Sequence, residues 1–317
     1  MSTENTRSTI QKVRKLYVPT PSFQTLEDRF LDVLDQRRAD EADGMVGNVR
    51  GIVLVGQSGA GKTRAIQQLA YKNRKLLKTD SEQEICEFFS LKVPSPATMK
   101  VVGAATLRAL GYRFSGEKRG PVIWDQVKVQ LSLRKTLFLH LDEAQDLARY
   151  QTDKERQAVV NTLKSLLENS LWQVSIILGG MPDLKKIVNQ DPQLARRLHP
   201  VEINRLHAVR DVDATLDIVL KYTAHAKIEA ATSIKSESFA RRLMHAGDYE
   251  FGLMIEFIVQ ALTKALKTEG FEARLDIKHF ADVYFDRSAC IDALNPFITD
   301  DFARINPRQI FDDDEPE

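Results

Sequence analysis

Residues 51–63 read GIVLVGQSGAGKT, and RAIQQLAYKNR follows directly. The first five are apolar with β-branched members, the composition of a strand buried on both faces of a parallel sheet. The next eight fit G-x-x-x-x-G-K-[ST] in full, between that strand and a helical pattern starting near Lys62. Gly56, Gly59 and Gly61 let the backbone wrap closely round an anion. The intervening Gln57, Ser58 and Ala60, with the first helical residues through Arg64, turn N–H groups and a helix N-terminus towards it. Lys62 reaches the β and γ phosphates of a nucleoside triphosphate, and the Thr63 hydroxyl ligates Mg²⁺. The stretch therefore predicts an ATP and Mg²⁺ site on an α/β sheet.

A matching stretch lies at 136–146, TLFLHLDEAQD. Its apolar strand delivers Asp142 and Glu143 to the carboxyl end, where open α/β sheets bind ligands. Asp142 is expected to hold Mg²⁺ through water, and Glu143 to accept a proton from the attacking water. Gln145 and Asp146 either support that pair or cap the next segment, and the sequence leaves both open. QVSIILGG (173–180) is expected between the two motif strands. ATPases of this architecture often present Asn or Thr to the γ phosphate there, and here Gly179 and Gly180 stand in that place. DPQLARRLHP (191–200) puts Arg196 and Arg197 just before the last strand, the setting either of a guanidinium offered to a neighbouring subunit's nucleotide or of surface arginines that pair with local acids.

The rest of the chain fits one core and one appendage. Strand signals at EICEFFSLKV, TLFLHL, QVSIILGG and PVEINRL alternate with helical patterns. They predict a right-handed parallel sheet of five strands with helices on both faces. Strand signals end near residue 208, and four helical patterns follow, VDATLDIVLKYTAHA, SESFARRLMHA, EFGLMIEFIVQALTKALKT and DIKHFADVYF. The expected organisation is an N-terminal extension (1–22), an α/β nucleotide-binding core (23–207), a helical lid with C-terminal helices (208–303) and an acidic, disordered tail (304–317).

Of the 317 residues 43% are apolar and 28% charged, ordinary for a globular protein, and the net charge is +1. The tail carries five acids, Asp312, Asp313, Asp314, Glu315 and Glu317; without them 45 basic residues face 39 acidic ones, a balance of +6. No run of 18 apolar residues suggests a membrane span, and MSTENTRSTIQKVRKLYVPT lacks a secretory apolar stretch, so a cytoplasmic location is expected. Cys86 and Cys290 then read as core thiols. The six histidines lack metal-ligand spacing, and His140, inside its strand, reads as a core residue. Between the second and third strands Lys100, Arg108, Arg113, Lys118 and Arg119 interleave with Tyr112 and Phe114. On composition this is either a solvated face or a phosphate-contacting one.

In order, GQSGAGKT, VPSPATMK, LRALGYR, LFLHLDEAQDL, VSIILGGMPDL and DPQLARRL resemble the AAA+ ATPases of the TniB/TnsC type over residues 15–265. These are transposition regulators of bacterial mobile elements, related in role to the phage Mu B protein. The resemblance implies the P-loop AAA+ (ASCE) fold. It implies an ATP-dependent oligomer, a ring or helical filament, on duplex DNA without sequence preference. It further implies recruitment of a transposase, a target-site adaptor and disassembly by ATP hydrolysis, with no membrane partner. Lys62 and Thr63 match the phosphate-loop pair, and Asp142 and Glu143 the metal and water pair. Arg197 matches the finger, with Arg196 next. Lys100 falls at a backbone-contacting lysine, Lys118 or Arg119 near a second contact, and Arg113 lies in the same segment. Two departures are expected to slow turnover: the glycines at 179–180, and GLMI at 252–255 where many lids offer G-x-x-R. Two other readings share parts of the pattern, a helicase loader or replication initiator and a non-hydrolysing protein that holds ATP structurally. Glu143 speaks against the last.

Overall fold

The computed structural model describes residues 3–44, 49–112, 118–147, 149, 152–170 and 172–308. The chain divides into two compact units, one of Pro19–Gln57 and Lys62–Ile203, the other of Met1–Val18, Ser58–Gly61 and Asn204–Glu317.

The first unit is built on five parallel strands, β1 (Gly51–Gly56), β2 (Phe88–Lys92), β3 (Phe138–Asp142), β4 (Ser175–Gly180) and β5 (Leu198–Ile203), in the order β2-β3-β4-β1-β5. The strand with the two glycines thus lies between the two motif strands, as its sequence suggested. All six β1 residues are buried, which is why the stretch reads as an unbroken apolar run. Helices α2 (Pro21–Ala42), α3 (Lys62–Lys72), α4 (Met99–Ala109), α5 (Gly120–Leu133), α6 (Asp153–Leu167), α7 (Leu184–Gln190) and the short α8 (Pro192–Ala195) cover the sheet. Alternation splits the strands' side chains. Val53, Val55, Leu139, Leu141, Ile176 and Leu178 share a core with α4, α5 and α6. Phe138 turns the other way, its ring 4.5 Å from that of Phe30 on α2.

Local signals account for the helix ends. Thr20 caps α2 by accepting from Phe23 N at 3.1 Å. Thr152 and Glu155 form a capping box at α6, whose Val159, Leu163 and Leu166 are fully buried. Cys86 and Cys290 are unpaired but only half-buried, so neither is the deep core thiol expected.

The second unit is helical, with α1 (Thr3–Lys15), α9 (Val212–Ala226), α10 (Glu237–Ala246), α11 (Phe251–Thr268) and α12 (Ile277–Ser288). The segment read as a basic extension contributes α1. Its Ile10 and Val13 join the core of this unit, and Leu16 O accepts from the Tyr222 hydroxyl at 3.0 Å. One strand pair also occurs beyond residue 208: Glu229–Ala230 runs parallel to Arg274–Leu275, two residues each and too short to leave a periodic trace. Residues 304–308, grouped with the tail on sequence, are fastened to this unit. Ile305 is buried and its carbonyl lies 2.9 Å from His245 Nε2. The acidic run itself lies outside the described residues.

Residues Ser58–Gly61 group with this second unit. There Leu253 N–H donates to Gly59 O at 3.0 Å. A β-carbon placed on Gly252 would lie 2.4 Å from that same oxygen, so only glycine fits the start of α11.

Candidate functional site

The phosphate loop begins where β1 ends. Gly56 keeps the strand's extended backbone, in register with Ile203, whereas Gly59 and Gly61 take φ values of +82° and +96° that side chains disfavour. The chain then enters α3 at Lys62. Lys62 is 7% exposed, and its ammonium donates to Gly56 O and Gln57 O, both at 2.9 Å. The charge is thus held against the loop's own carbonyls. Arg64 lies on the exposed side of α3.

β3 delivers its carboxylates two strands from β1, across β4. Thr63 Oγ1 donates to Asp142 Oδ2 at 2.7 Å, and Glu143 N–H donates to Asp142 Oδ1 at 3.1 Å. A hydroxyl and a carboxylate already in contact offer the hard oxygen donors that Mg²⁺ prefers, so the pair fits that ion. Glu143 has a left-handed backbone, φ +57°, which costs a non-glycine residue about 1–2 kcal/mol. Such strain is tolerated where a side chain must be aimed. The carboxylate is fixed as well: Gln145 Nε2 donates to Glu143 Oε2 at 2.6 Å. Asp146, the other residue left open on sequence, pairs with Arg149 at 3.4 Å.

His140 is buried as expected, 2% exposed, with Ser90 Oγ 2.8 Å from Nδ1. Burial pushes its pKa down to about 4, against the opposing pull of Asp142. The folded protein therefore resists protonating it while the unfolded chain takes a proton near pH 6.5. Stability from this residue is complete above pH 6.5 and falls as the pH drops towards 4. Urea unfolding should lose roughly 2 kcal/mol more between pH 7.5 and pH 5 in the wild type than in His140→Gln.

Arg196 and Arg197 stand at the amino end of β5. Gly51 pairs with Leu198 and Gly56 with Ile203. The arginines and the phosphate loop are thus separated by the length of the strand, roughly 16 Å at 3.3 Å per residue. Neither arginine reaches the loop of its own chain. Arg197 pairs with Glu168 at 2.9 Å, while Arg196 is exposed and makes no ion pair among the described residues. Both line a cavity of about 490 Å³ with Arg50, which precedes β1. Three guanidinium groups there face one carboxylate, that of Glu168. Sequence reading missed Arg50, because only the pairing of β1 with β5 brings it to the others.

The basic segment resolves into one end of a helix pair. Trp124 Nε1 donates to Met99 O at 2.8 Å, and Arg134 Nη2 donates to Leu110 O at 2.6 Å. These contacts join the start of α4 to the start of α5, and their ends likewise. The two helices therefore run side by side in the same direction. Lys100, in the first turn of α4, and Lys118 and Arg119, just before α5, gather at the same end. Neither helix carries an acid in its first turn. Arg113 lies outside the described residues.

A family model described as "Bacterial TniB protein" matches residues 12–208. The chain belongs to the TniB family. A search of curated proteins finds no match. Among solved structures this TniB-family chain resembles Cdc6p from Pyrobaculum aerophilum, at TM-score 0.58 and 15% identity over 87% of this chain and 70% of that one. It also resembles the Aeropyrum pernix ORC1 protein, solved in complex with DNA, at TM-score 0.59 and 16% identity over 88% and 70%. The Aeropyrum pernix ORC2 protein, in ADPNP and ADP complexes, follows at TM-score 0.54 and 11% identity over 89% and 75%. At these identities the likeness concerns fold alone. The fold is that of the P-loop AAA+ ATPases, as the sequence motifs implied. Among the described residues no helix of this TniB-family protein is long and apolar enough to cross a membrane.

Proposed function

We propose that this protein is an ATP-switched regulator of transposition that assembles on duplex DNA. Copies coat the duplex as a ring or filament, mark it as target and recruit a transposase. ATP hydrolysis then dissolves the assembly, and a target-site adaptor biases where it starts. One observation carries the reading. A complete phosphate-and-carboxylate site lies at the carboxyl ends of the strands, while Arg196 and Arg197 lie at the amino ends, out of reach of it. Arginines so placed serve the nucleotide of another copy, and a guanidinium finger of that kind is worth about 10³–10⁵ in rate. Arg197 leaves Glu168 to do so, and Arg50 adds positive charge beside it.

In hydrolysis Lys62 holds the β and γ phosphates, and Thr63 and Asp142 would hold Mg²⁺. The ion would supply neutralisation of phosphate charge when bound. Glu143 accepts the proton of the attacking water as its oxygen joins the terminal phosphorus and ADP leaves. Slow turnover suits a clock better than a motor. Gly179 and Gly180 put no side chain against the γ phosphate, and Ile255 stands where lids often offer arginine.

DNA contact is assigned to the shared amino end of α4 and α5. Two helix N-termini and Lys100, Lys118 and Arg119 gather positive charge at one end of the pair, and neither helix has an acid in its first turn, an arrangement that favours a phosphate backbone. Each lysine that meets a phosphate adds about one unit to the salt slope. Lys100→Ala and Lys118→Ala should each weaken duplex binding at all sequences and lower that slope by about one, read by fluorescence anisotropy across a salt series. A slope unchanged in both variants moves the DNA elsewhere. The reading as a whole is tested by electron microscopy with duplex DNA. Filaments or rings are expected with a slowly hydrolysed ATP analogue and not with ADP. A single copy on DNA under both conditions overturns it.

A further inference from the structure

We infer that Gln145 is a positioning residue that ties the end of β4 to the carboxylate of Glu143, supplying by a side chain of the DEAQ turn the link that the β4 glycines cannot make. The inference rests on the reading of Glu143 as the group that takes the water's proton.

β4 ends in Gly179 and Gly180, and both face side chains from the neighbouring segment. A β-carbon placed on Gly179 would lie 3.2 Å from His140 Nε2 and 3.4 Å from Asp142 Oδ1. One placed on Gly180 would lie 2.7 Å from Gln145 Oε1, inside the contact distance of the two atoms. The glycines therefore do more than omit a sensor. They leave the room into which Gln145 reaches.

Gln145 is 3% exposed and committed at both ends of its amide. Oε1 accepts from Met181 N–H, the first backbone donor beyond β4, at 2.9 Å. Nε2 donates to Glu143 Oε2 at 2.6 Å. The amide is planar and rigid, so the position of Met181 sets the position of Nε2, and Nε2 sets the orientation of the carboxylate. Its base is fixed too, since Gln145 sits in the 3-10 turn Ala144–Leu147, where Asp146 N–H bonds Glu143 O at 3.0 Å. Holding Oε2 leaves Oε1 as the oxygen for the water. Asparagine is one methylene too short to span both partners. Glutamate cannot donate to a carboxylate while ionised.

The test uses the full-length protein and four variants, Gln145→Ala, the nearly isosteric Gln145→Met, Gly180→Ala and Glu143→Gln. Gly180→Ala leaves Gln145 in the chain but drives a methyl group into its amide oxygen. Gln145→Ala, Gln145→Met and Gly180→Ala should each lower kcat for ATP at least tenfold. KM, fluorescent ADP affinity and analogue-dependent assembly on DNA should stay within about twofold. Amide hydrogen exchange in nucleotide-free protein should report faster exchange at Met181 in all three. A methionine variant with wild-type kcat would reduce Gln145 to packing and overturn the inference. So would a loss that falls on KM and ADP affinity in proportion, a rise in kcat, or unchanged exchange at Met181. Glu143→Gln separates the two levels: if that variant hydrolyses ATP normally, the reading of Glu143 is what fails.

Discussion

The Glu143→Gln protein is expected to bind ATP, assemble on duplex DNA and stay there. An amide in place of the carboxylate keeps size and hydrogen-bonding capacity but removes the basicity that accepts the water's proton. General-base catalysis of this kind contributes about 10²–10⁴ in rate, and kcat should fall by that factor. Lys62, Thr63 and Asp142 are untouched, and Asp142 keeps its contacts with Thr63 Oγ1 and Glu143 N–H. Nucleotide affinity should therefore remain near that of the wild type. Single-turnover phosphate release and pelleting of protein with DNA, before and after long incubation with ATP, read both halves. Release at the wild-type rate would remove Glu143 from the chemistry. Prompt loss of assembly without release would break the link between hydrolysis and disassembly.

Lys62→Ala acts one step earlier. The ammonium is nearly buried and already held by Gly56 O and Gln57 O, so little reorganisation is needed when a triphosphate arrives. Charge-assisted hydrogen bonds of this sort are worth about 1.5–3 kcal/mol each, which predicts ATP affinity lower by about tenfold to a hundredfold or more. Isothermal titration measures it, with Lys62→Met as a second variant that retains the apolar packing of the stem. Assembly on DNA should fail in both at ATP concentrations that saturate the wild type. ATP binding within twofold of the wild type would remove Lys62 from the site. The two variants thus bracket the cycle, one arrested before the nucleotide is held and the other after.

Most of the first unit could be read from the chain because its signals are local. The strand, glycines, lysine and threonine of 51–63 are contiguous, and the alternation of apolar runs with helical patterns fixes parallel strands whose neighbours obey handedness. The capping box at Thr152 was similarly legible, with donor and acceptor three residues apart. What escaped reading was set by distance in sequence. Ile10 and Val13 sit among basic residues, and their apolar spacing has meaning only against α9 and α11. Gln145 meets Met181 across 36 residues, and nothing in DEAQ announces an acceptor waiting at the end of β4. Arg50 joins Arg196 and Arg197 only through the register of β1 with β5. The glycine pair at 179–180 carries a signal of its own, a side chain absent or displaced, but the room Gly180 leaves for Gln145 is visible only in the structure.

The separation of the phosphate loop from Arg196 and Arg197 along the strands has a consequence for growth. If, as proposed, these arginines serve another copy's nucleotide, a surface that gives arginine and a different surface that receives it cannot meet their own kind, so copies in a filament would stack head to tail and the row would have a direction. Of the two termini of such a filament, one would display an unsupported nucleotide and the other idle guanidinium groups. Chemistry would be slowest at the terminus that lacks a donor, so the row would be kinetically unequal from end to end.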